Sequence, residues 1–205
     1  MNEKNEVDND DCKLQINIKI ILLGEVSIGK TSLINAFLGN QFQQYKTTIT
    51  PHFSQKQVKM KEAIYNIDLW DTAGNEKFRS ITTNFIRDSH IVIFVYDITE
   101  RNTFTELDFW VNSAKELLGE DSIYGLAGNK IDLFENEKVK KEEGEKYAQK
   151  IGALFQQTSA KEDPEGFKNF VNQLLKEYFL KNNYIQQSES IITLNHQDKK
   201  RKKCC

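Results

Sequence analysis

The chain has 205 residues, which suffices for one domain with a sizeable core but hardly for two. Hydrophobic residues make up 39% and charged residues 28% of the chain, a balance that excludes a disordered or fibrous protein. The formal net charge is −2, so the molecule has no overall basic field and we expect no nucleic acid partner.

Both ends of the chain are charged, with opposite signs. Residues 1–12 are acidic and polar, so they predict a disordered tail without a secretory signal. Residues 183–205 predict a flexible tail with a polybasic run just before Cys204 and Cys205. One domain is expected between them, at residues 13–182. No apolar run approaches the roughly 20 residues of a membrane-spanning helix, and the three cysteines form no disulfide framework, as suits a reducing cytosol.

The first half of the domain predicts three strands and one helix. Leu14 to Leu23 is an Ile- and Leu-rich run, typical of a strand that is buried on both faces of a parallel sheet. Thr31 to Leu38 predicts a helix, and the polar segment Gln41 to His52 predicts a loop. Phe53 to Met60 and Ala63 to Trp70 alternate apolar and polar residues, which indicates an antiparallel hairpin.

The second half alternates strands and helices. Ile91 to Tyr96 predicts a buried strand, and Thr103 to Leu118 has the spacing of a single helix. The next four segments predict strand, helix, strand and helix: Ile123 to Ala127, Glu142 to Ile151, Leu154 to Gln157 and Phe167 to Phe179. The alternation predicts an open α/β sheet whose ligands lie beyond the carboxyl ends of the strands.

A phosphate-binding loop follows the first predicted strand. Eight residues there match G-x-x-x-x-G-K-[S/T]: Gly24, Glu25, Val26, Ser27, Ile28, Gly29, Lys30 and Thr31. Glycines let such a loop wrap phosphates with inward N–H groups, Lys30 would neutralise phosphate charge, and the Thr31 hydroxyl would bind Mg²⁺. A chance turn is the alternative, but the strand and helix lie where the mechanism needs them. Phosphate binding alone leaves a P-loop kinase or ATPase open.

Asn129, Lys130 and Asp132 follow another predicted strand and indicate the base that is bound. A carboxylate at Asp132 can accept hydrogen bonds from guanine N1–H and its 2-amino group, and adenine offers no such donor pair. The pattern is short and also fits an ordinary charged loop. A second loop, Thr158 to Lys161, follows the next strand at the same end of the sheet. Together the loops predict a guanine site and disfavour an ATP-dependent kinase.

Asp71 and Gly74 follow the strand that ends at Trp70. An aspartate there can hold Mg²⁺, usually through water, and the Gly74 N–H can contact a γ-phosphate. A helix N-cap is the alternative role for Asp71, and we favour the metal.

The sequence resembles the Ras superfamily, and within it the Rab family, over residues 14–180. Beyond the loops above, four stretches and the chain end carry the resemblance: Trp70-Asp71-Thr72-Ala73-Gly74, Phe78-Arg79-Ser80-Ile81-Thr82, Phe85-Ile86-Arg87-Asp88-Ser89, Tyr96-Asp97-Ile98-Thr99 and the two terminal cysteines. The resemblance implies a single P-loop GTPase domain, with a six-stranded, mostly parallel sheet, one antiparallel strand and helices on both faces. It also implies GTP or GDP and Mg²⁺ as cofactors.

The resemblance assigns further roles to individual residues. Thr48 would ligate Mg²⁺ together with Thr31 and Asp71, Phe42 would lie edge-on against guanine, and the Ala160 N–H would contact guanine O6. The full nucleotide-binding set that we expect is Gly24, Glu25, Val26, Ser27, Ile28, Gly29, Lys30, Thr31, Ser32, Phe42, Thr48, Asp71, Gly74, Asn129, Lys130, Asp132, Ser159, Ala160 and Lys161.

Cys204 and Cys205 resemble a double geranylgeranylation site. Two lipid chains anchor a protein stably, and the basic run before them would add attraction to anionic lipid. A nuclear-import or solubilising basic tail is the alternative. The resemblance further implies effectors, an exchange factor, a GTPase activator, an escort protein and a GDP-dissociation inhibitor as partners. We expect the protein on the cytoplasmic face of an endosomal or Golgi membrane, with cycling through the cytosol.

Two departures from the Rab pattern concern hydrolysis, for which Lys30, Gly74 and Asn75 are the expected catalytic residues. Asn75 stands where Rab proteins usually carry Gln, so its amide would reach about 1.5 Å less far, and a misplacement of about 1 Å can cost ~10²-fold in rate. Val26 stands where a small residue is usual, and its branched side chain would crowd the γ-phosphate and the attacking water. The bland alternative is that activators compensate for both.

A third departure lies in Thr50 and Pro51. They follow Thr48, the expected threonine of switch I, and would stiffen the switch I loop. We therefore expect a Rab-like switch that hydrolyses GTP slowly and recruits effectors to membranes in vesicle trafficking. The alternative is a GTP-locked, membrane-anchored scaffold with negligible hydrolysis.

Overall fold

The computed structural model describes residues 15–43, 47–48, 50–60, 63–74, 79–119 and 121–182. The predicted tails, the hairpin turn at residues 61–62, and Asn75, Cys204 and Cys205 lie outside the described residues.

Six strands in the described part of the chain form one sheet. In chain order they are β1 (Gln15–Leu23), β2 (His52–Met60), β3 (Ala63–Asp71), β4 (Ile91–Asp97), β5 (Ile123–Asn129) and β6 (Leu154–Thr158). The order across the sheet is β2-β3-β1-β4-β5-β6, and only the pair β2 and β3 is antiparallel. This confirms the predicted α/β fold class, including the hairpin.

Six α-helices connect and cover these strands in the described ranges. They are α1 (Lys30–Leu38), α2 (Arg79–Ile86), α3 (Arg101–Thr105), α4 (Leu107–Leu118), α5 (Lys141–Ile151) and α6 (Pro164–Lys181), with a 3₁₀ helix at Ile131–Asn136. None of the described helices combines the length and the apolar character that crossing a membrane requires.

The prediction of a single helix from Thr103 to Leu118 is wrong. The structure divides it into α3 and α4, which meet at Glu106, where φ is −73° and ψ is −7°. A ψ near zero breaks the ladder of hydrogen bonds while the hydrophobic spacing continues, so periodicity alone could not find the division. The short helix α2 and the 3₁₀ helix were not predicted.

The core lies in two layers on either side of the sheet. Alternate residues of β1 divide between the layers: Ile18, Ile20 and Leu22 pack in the layer with α1 and α6, and Ile21 and Leu23 pack in the layer with α4. Every residue of β4 is buried. Because both faces of the central strands are covered, polar groups can gather only at the strand ends, and this is where the loops with the predicted motifs lie.

Candidate functional site

A cavity of about 510 Å³ opens at the carboxyl ends of β1, β3, β5 and β6. The loops that follow these strands surround it, which is the usual ligand position in an open α/β sheet. Its lining comes from five separate segments: Val26, Ser27, Gly29, Lys30, Thr31, Ser32, Phe42, Gln43, Thr47, Thr48, Thr72, Gly74, Asn129, Lys130, Asp132, Leu133, Ala160 and Lys161.

The loop between β1 and α1 has a backbone that suits glycine. Ser27 and Gly29 both adopt left-handed conformations, with φ of 62° and 95°. A Cβ on Gly29 would lie 2.5 Å from Asn129 Nδ2, which donates a hydrogen bond to Ile28 O at 2.8 Å. Glycine at position 29 therefore lets the loop after β5 bind directly to the loop after β1.

Lys30 begins α1, and its ammonium group lies buried under the same loop. It donates to Gly24 O at 2.9 Å and to Glu25 O at 2.7 Å. Burial lowers the pKa of Lys30 to about 8, although the charges of Asp71 and Glu25 act in the opposite direction. The amine is held firmly but poorly solvated, so an anion in the cavity would favour its charged form.

Oxygen atoms of Thr31, Thr48 and Asp71 meet at one side of the cavity. Thr31 Oγ1 donates to Asp71 Oδ2 at 2.6 Å and lies 2.9 Å from Thr48 Oγ1. Among the described residues, buried Asp71 Oδ1 has no hydrogen-bond partner. Burial raises the pKa of Asp71, against the opposing influence of the Thr31 hydrogen bond and the Lys30 charge. This carboxylate is therefore short of the positive partner that its charged form needs.

Gly74 lies directly against the phosphate loop. A Cβ at this position would be 2.3 Å from the carbonyl carbon and oxygen of Glu25 and 2.5 Å from Val26 N. No larger residue fits there without displacing the loop, because the neighbouring atoms are backbone. The Val26 side chain lines the same cavity as Thr31 and Gly74.

On the opposite side of the cavity, Lys130 connects the loop after β5 with the loop after β1 and with the end of β4. It adopts a left-handed conformation with φ of 69°, and its ammonium donates to Ser27 O at 2.9 Å. The same ammonium forms an ion pair with Asp97 Oδ2 at 2.5 Å. Asp97 is buried at the end of β4, and its other oxygen accepts hydrogen bonds from Thr99 N and Oγ1. The ammonium group of Lys130 is therefore held by two oxygen atoms without any ligand.

Asp132 and Asn129 are also held by neighbouring side chains. Ser159 Oγ donates to Asp132 Oδ1 at 2.6 Å, and Thr158 Oγ1 donates to Asn129 Oδ1 at 3.3 Å. Asp132 Oδ1 is thus oriented by a hydroxyl while the residue still lines the cavity. Phe42 also lines the cavity and leaves 44% of its surface exposed.

A family model for the Ras family matches residues 19–180. The chain belongs to the Ras family. It is therefore a GTP-binding small GTPase switch, and this family binds GTP and GDP, typically with Mg²⁺, and works with regulators and effectors.

The polar groups of this Ras-family site fit a divalent cation. Thr31, Thr48 and Asp71 would hold Mg²⁺, because their oxygens converge and the unpartnered Asp71 Oδ1 needs a positive partner. Bound there, Mg²⁺ would supply positive charge to phosphate oxygens. No group of three or more His, Cys, Asp or Glu in the described ranges could hold a metal ion. Hydroxyl, phosphate and water oxygens would complete its coordination.

Most residues that the sequence predicts for the Ras-family site line the cavity. Five of them lie beneath its surface instead: Gly24, Glu25, Ile28, Asp71 and Ser159. They support residues of the lining, as Ser159 does for Asp132. Asn75, predicted for catalysis, lies outside the described residues, so its role stays a prediction.

Several residues of the site were not predicted from the sequence. Gln43, Thr47, Thr72 and Leu133 line the cavity, and each is a close sequence neighbour of a predicted residue. Asp97, which binds Lys130, was missed as well. A carboxylate at the end of a fully apolar strand was a signal for Asp97, because such strand ends meet at the ligand edge of the sheet.

Proposed function

We propose that this Ras-family protein is a Rab-like switch that hydrolyses GTP slowly and recruits effectors to membranes in vesicle trafficking. One observation carries the proposed recruitment of effectors. An aromatic cluster of Phe53, Trp70 and Phe85 joins β2, β3 and α2, with ring centroids 5.5 Å and 5.2 Å apart. Phe53 is 45% exposed, and Trp70 directly precedes Asp71.

This cluster has the chemistry of a binding surface whose shape depends on the nucleotide. Aromatic side chains in a partly exposed group are favoured anchors for protein partners. Because Trp70 is one residue from Asp71, a shift of the metal-binding carboxylate would move the cluster too. We therefore assign effectors to this surface, and an exchange factor and a GTPase activator to the same side of the molecule.

Hydrogen exchange tests whether the cluster responds to the nucleotide. We expect amide protection near Phe53, Trp70 and Phe85 to differ between the GDP state and a state with a non-hydrolysable GTP analogue. Amides of β5, far along the sheet from this surface, serve as the internal reference and should change little. Equal protection at the cluster in both states would contradict the proposal.

The site residues receive their roles within this proposal. The loop around Lys30 would hold the phosphates, and Asp132 would select guanine with help from Asn129, Lys130 and the Ala160 N–H. Their support is the shared cavity and the bonds that fix Asp132 and Lys130. Lys30 and the Gly74 N–H would stabilise charge on the γ-phosphate during hydrolysis, and Asn75 would orient the water.

A GTP-locked scaffold with negligible hydrolysis is the second candidate. Val26 favours it, because this residue lines the cavity together with Thr31 and Gly74, and its branched side chain would narrow the space for water. Single-turnover hydrolysis decides between the two. Val26→Ser combined with Asn75→Gln should accelerate turnover, by roughly 10²-fold if water positioning is the limit. No acceleration would refute slow hydrolysis caused by these residues, and a wild-type rate of zero would favour the scaffold.

Membrane anchoring rests on residues outside the described ranges. We propose that Cys204 and Cys205 carry geranylgeranyl groups, with an escort protein and a GDP-dissociation inhibitor handling the lipidated chain. The compartment that we propose is an endosomal or Golgi membrane. Fractionation of the tagged full chain tests this: a variant with Cys204→Ser and Cys205→Ser should leave the membrane fraction, and unchanged membrane binding would contradict the anchor.

A further inference from the structure

Glu25 is unusual within the phosphate loop because its side chain is directed away from the cavity. The residue is only 9% exposed and does not line the cavity. Its Oε1 accepts a hydrogen bond from Trp110 Nε1 at 3.2 Å. Trp110 belongs to α4, is fully buried, and lies 85 positions further along the chain. A helix outside every nucleotide motif therefore contacts this loop.

The backbone of Glu25 serves the two groups expected to contact the γ-phosphate. Its carbonyl oxygen accepts a hydrogen bond from Lys30 Nζ at 2.7 Å. The same carbonyl lies against Gly74, where a Cβ would be only 2.3 Å away. A small displacement of Glu25 would therefore change the position of the Lys30 ammonium and the packing of the Gly74 backbone.

The charge of Glu25 matters as well as its position. Its carboxylate interacts electrostatically with the ammonium of Lys30, whose charged form it favours. A buried carboxylate that loses a hydrogen-bond donor depends more on a nearby positive charge. For Glu25 that charge includes Lys30, the group on which the nucleotide phosphates depend. The Trp110 N–H binds one oxygen of this carboxylate on the side of α4.

We propose that Trp110 is a positioning residue for nucleotide binding. Its indole N–H holds the Glu25 carboxylate away from Lys30 and fixes the Glu25 backbone between Lys30 and Gly74. Trp110 does not line the cavity and acts through Glu25. The proposal rests on the nucleotide binding of the family alone. Slow hydrolysis or membrane anchoring could fail without affecting it, and the converse also holds.

Dissociation of a fluorescent GDP and of a fluorescent non-hydrolysable GTP analogue tests the proposal. Trp110→Phe keeps an aromatic ring but removes the N–H. We expect about tenfold faster dissociation, the loss typical of one hydrogen bond to a charged group. The analogue should be affected more than GDP, because only its γ-phosphate meets Gly74.

Combining substitutions at Trp110 and Glu25 distinguishes a positioning role of Trp110 from simple damage to the core. Glu25→Gln keeps the shape of the side chain and removes its charge, so no carboxylate competes for Lys30. In that background Trp110→Phe should change dissociation by no more than about twofold, since coupled residues are non-additive. An unchanged tenfold effect in the Glu25→Gln background would overturn the proposal.

Val111→Ala is the matched control on α4. Val111 is buried next to Trp110, and its truncation leaves a cavity without removing a polar group. We expect a lower melting temperature and unchanged dissociation of both nucleotides. Faster dissociation in this control, equal to that of Trp110→Phe, would overturn the proposal.

The indole N–H resonances give a test that needs no substitution at Trp110. The chain contains two tryptophans, so Trp70→Phe assigns the Trp110 resonance in the bound protein. Glu25→Gln should move that resonance upfield, because a neutral acceptor replaces a charged one. An unmoved resonance would contradict the hydrogen bond, and with it the proposal.

Discussion

The two halves of the nucleotide cavity differ in how their polar groups are satisfied. The phosphate half holds Lys30, whose pKa burial lowers to about 8, and Asp71, whose pKa burial raises. It also contains Asp71 Oδ1, which has no hydrogen-bond partner in the described part of the chain. In both groups the charged form is disfavoured, so this half is electrostatically incomplete by itself.

The guanine half is complete. Asn129 donates to Ile28 O, Ser159 donates to Asp132, and Lys130 binds both Ser27 O and Asp97. Asn129, Lys130 and Asp132 therefore each have a partner that sets the direction of the side chain. This half therefore needs no ligand to hold its geometry.

The difference shows how such a site can combine specificity with switching. A rigid guanine half would select the base at little cost in ordering, because its side chains are fixed beforehand. A phosphate half with buried, unsatisfied charge gains most from a ligand that brings phosphate and cation together. Its structure should therefore depend on which nucleotide is bound, whereas the guanine half should not change.

Removal of the Lys30 charge is the largest perturbation of this comparison. Lys30→Met should weaken GDP and GTP binding roughly 10- to 10²-fold, because two of the three ammonium donors bind Gly24 O and Glu25 O and the variant removes the remaining hydrogen bond to phosphate. The nucleotide-free protein should lose no thermal stability, because desolvation of the buried ammonium offsets its bonds to Gly24 and Glu25. Calorimetric titration and thermal melts measure both effects.

Lys168→Met is the matched control for Lys30→Met. Lys168 lies on α6 with 41% of its side chain exposed, and it forms an ion pair with Glu165 on the same helix. We expect unchanged affinity in this variant. Melting of nucleotide-free Lys30→Met well below the wild type would show that the phosphate half supports the fold as much as the guanine half does.

The pH dependence of nucleotide binding tests whether the buried charge of Lys30 makes the phosphate half depend on its ligand. The pKa of Lys30 is about 8 in the protein without a ligand, and bound phosphates would raise it. Binding therefore takes up a proton above pH 8, and affinity should fall by up to about tenfold per pH unit there. Titrations in two buffers with different ionisation enthalpies measure this uptake. Equal proton uptake by Lys30→Met would assign it to another group.

The same pKa fixes the sign for the stability of the nucleotide-free fold. The pKa of Lys30 lies below its ordinary value of 10.5, so the unfolded chain binds more protons between about pH 8 and 10.5. The contribution of Lys30 to stability therefore rises with pH in this window. As the pH rises in this window, nucleotide affinity should fall while the contribution of Lys30 to stability rises. The difference between wild type and Lys30→Met in each measurement isolates the part that is due to Lys30.

Loss of the Asp97 charge is the smallest of the three perturbations. Asp97→Asn keeps an oxygen for Thr99 and removes the ion pair with Lys130, while Lys130 retains its bond to Ser27 O. We expect GDP and GTP to dissociate about threefold to tenfold faster, and equally so, because guanine is common to both. A selective effect on GTP would contradict the division of the cavity into two halves.

Local sequence predicted the fold class and most of the cavity lining because the relevant signals are short. The apolar runs of β1 and β4 identify strands that are buried on both faces, and the loop from Gly24 to Thr31 lies between a strand and a helix along the chain. The division between α3 and α4 at Glu106 was not predicted, because one ψ angle changes there without a change in hydrophobic spacing.

The sequence by itself determined which chemical groups this protein brings to a guanine nucleotide. Only the tertiary structure decided how those groups are held: Asp97 on Lys130, Trp110 on Glu25, and Gly74 against the phosphate loop. These contacts join residues that are distant in the chain, 85 positions apart for Trp110 and Glu25. No local pattern encodes such a pair, because its geometry arises only when sheet and helices pack around a common core.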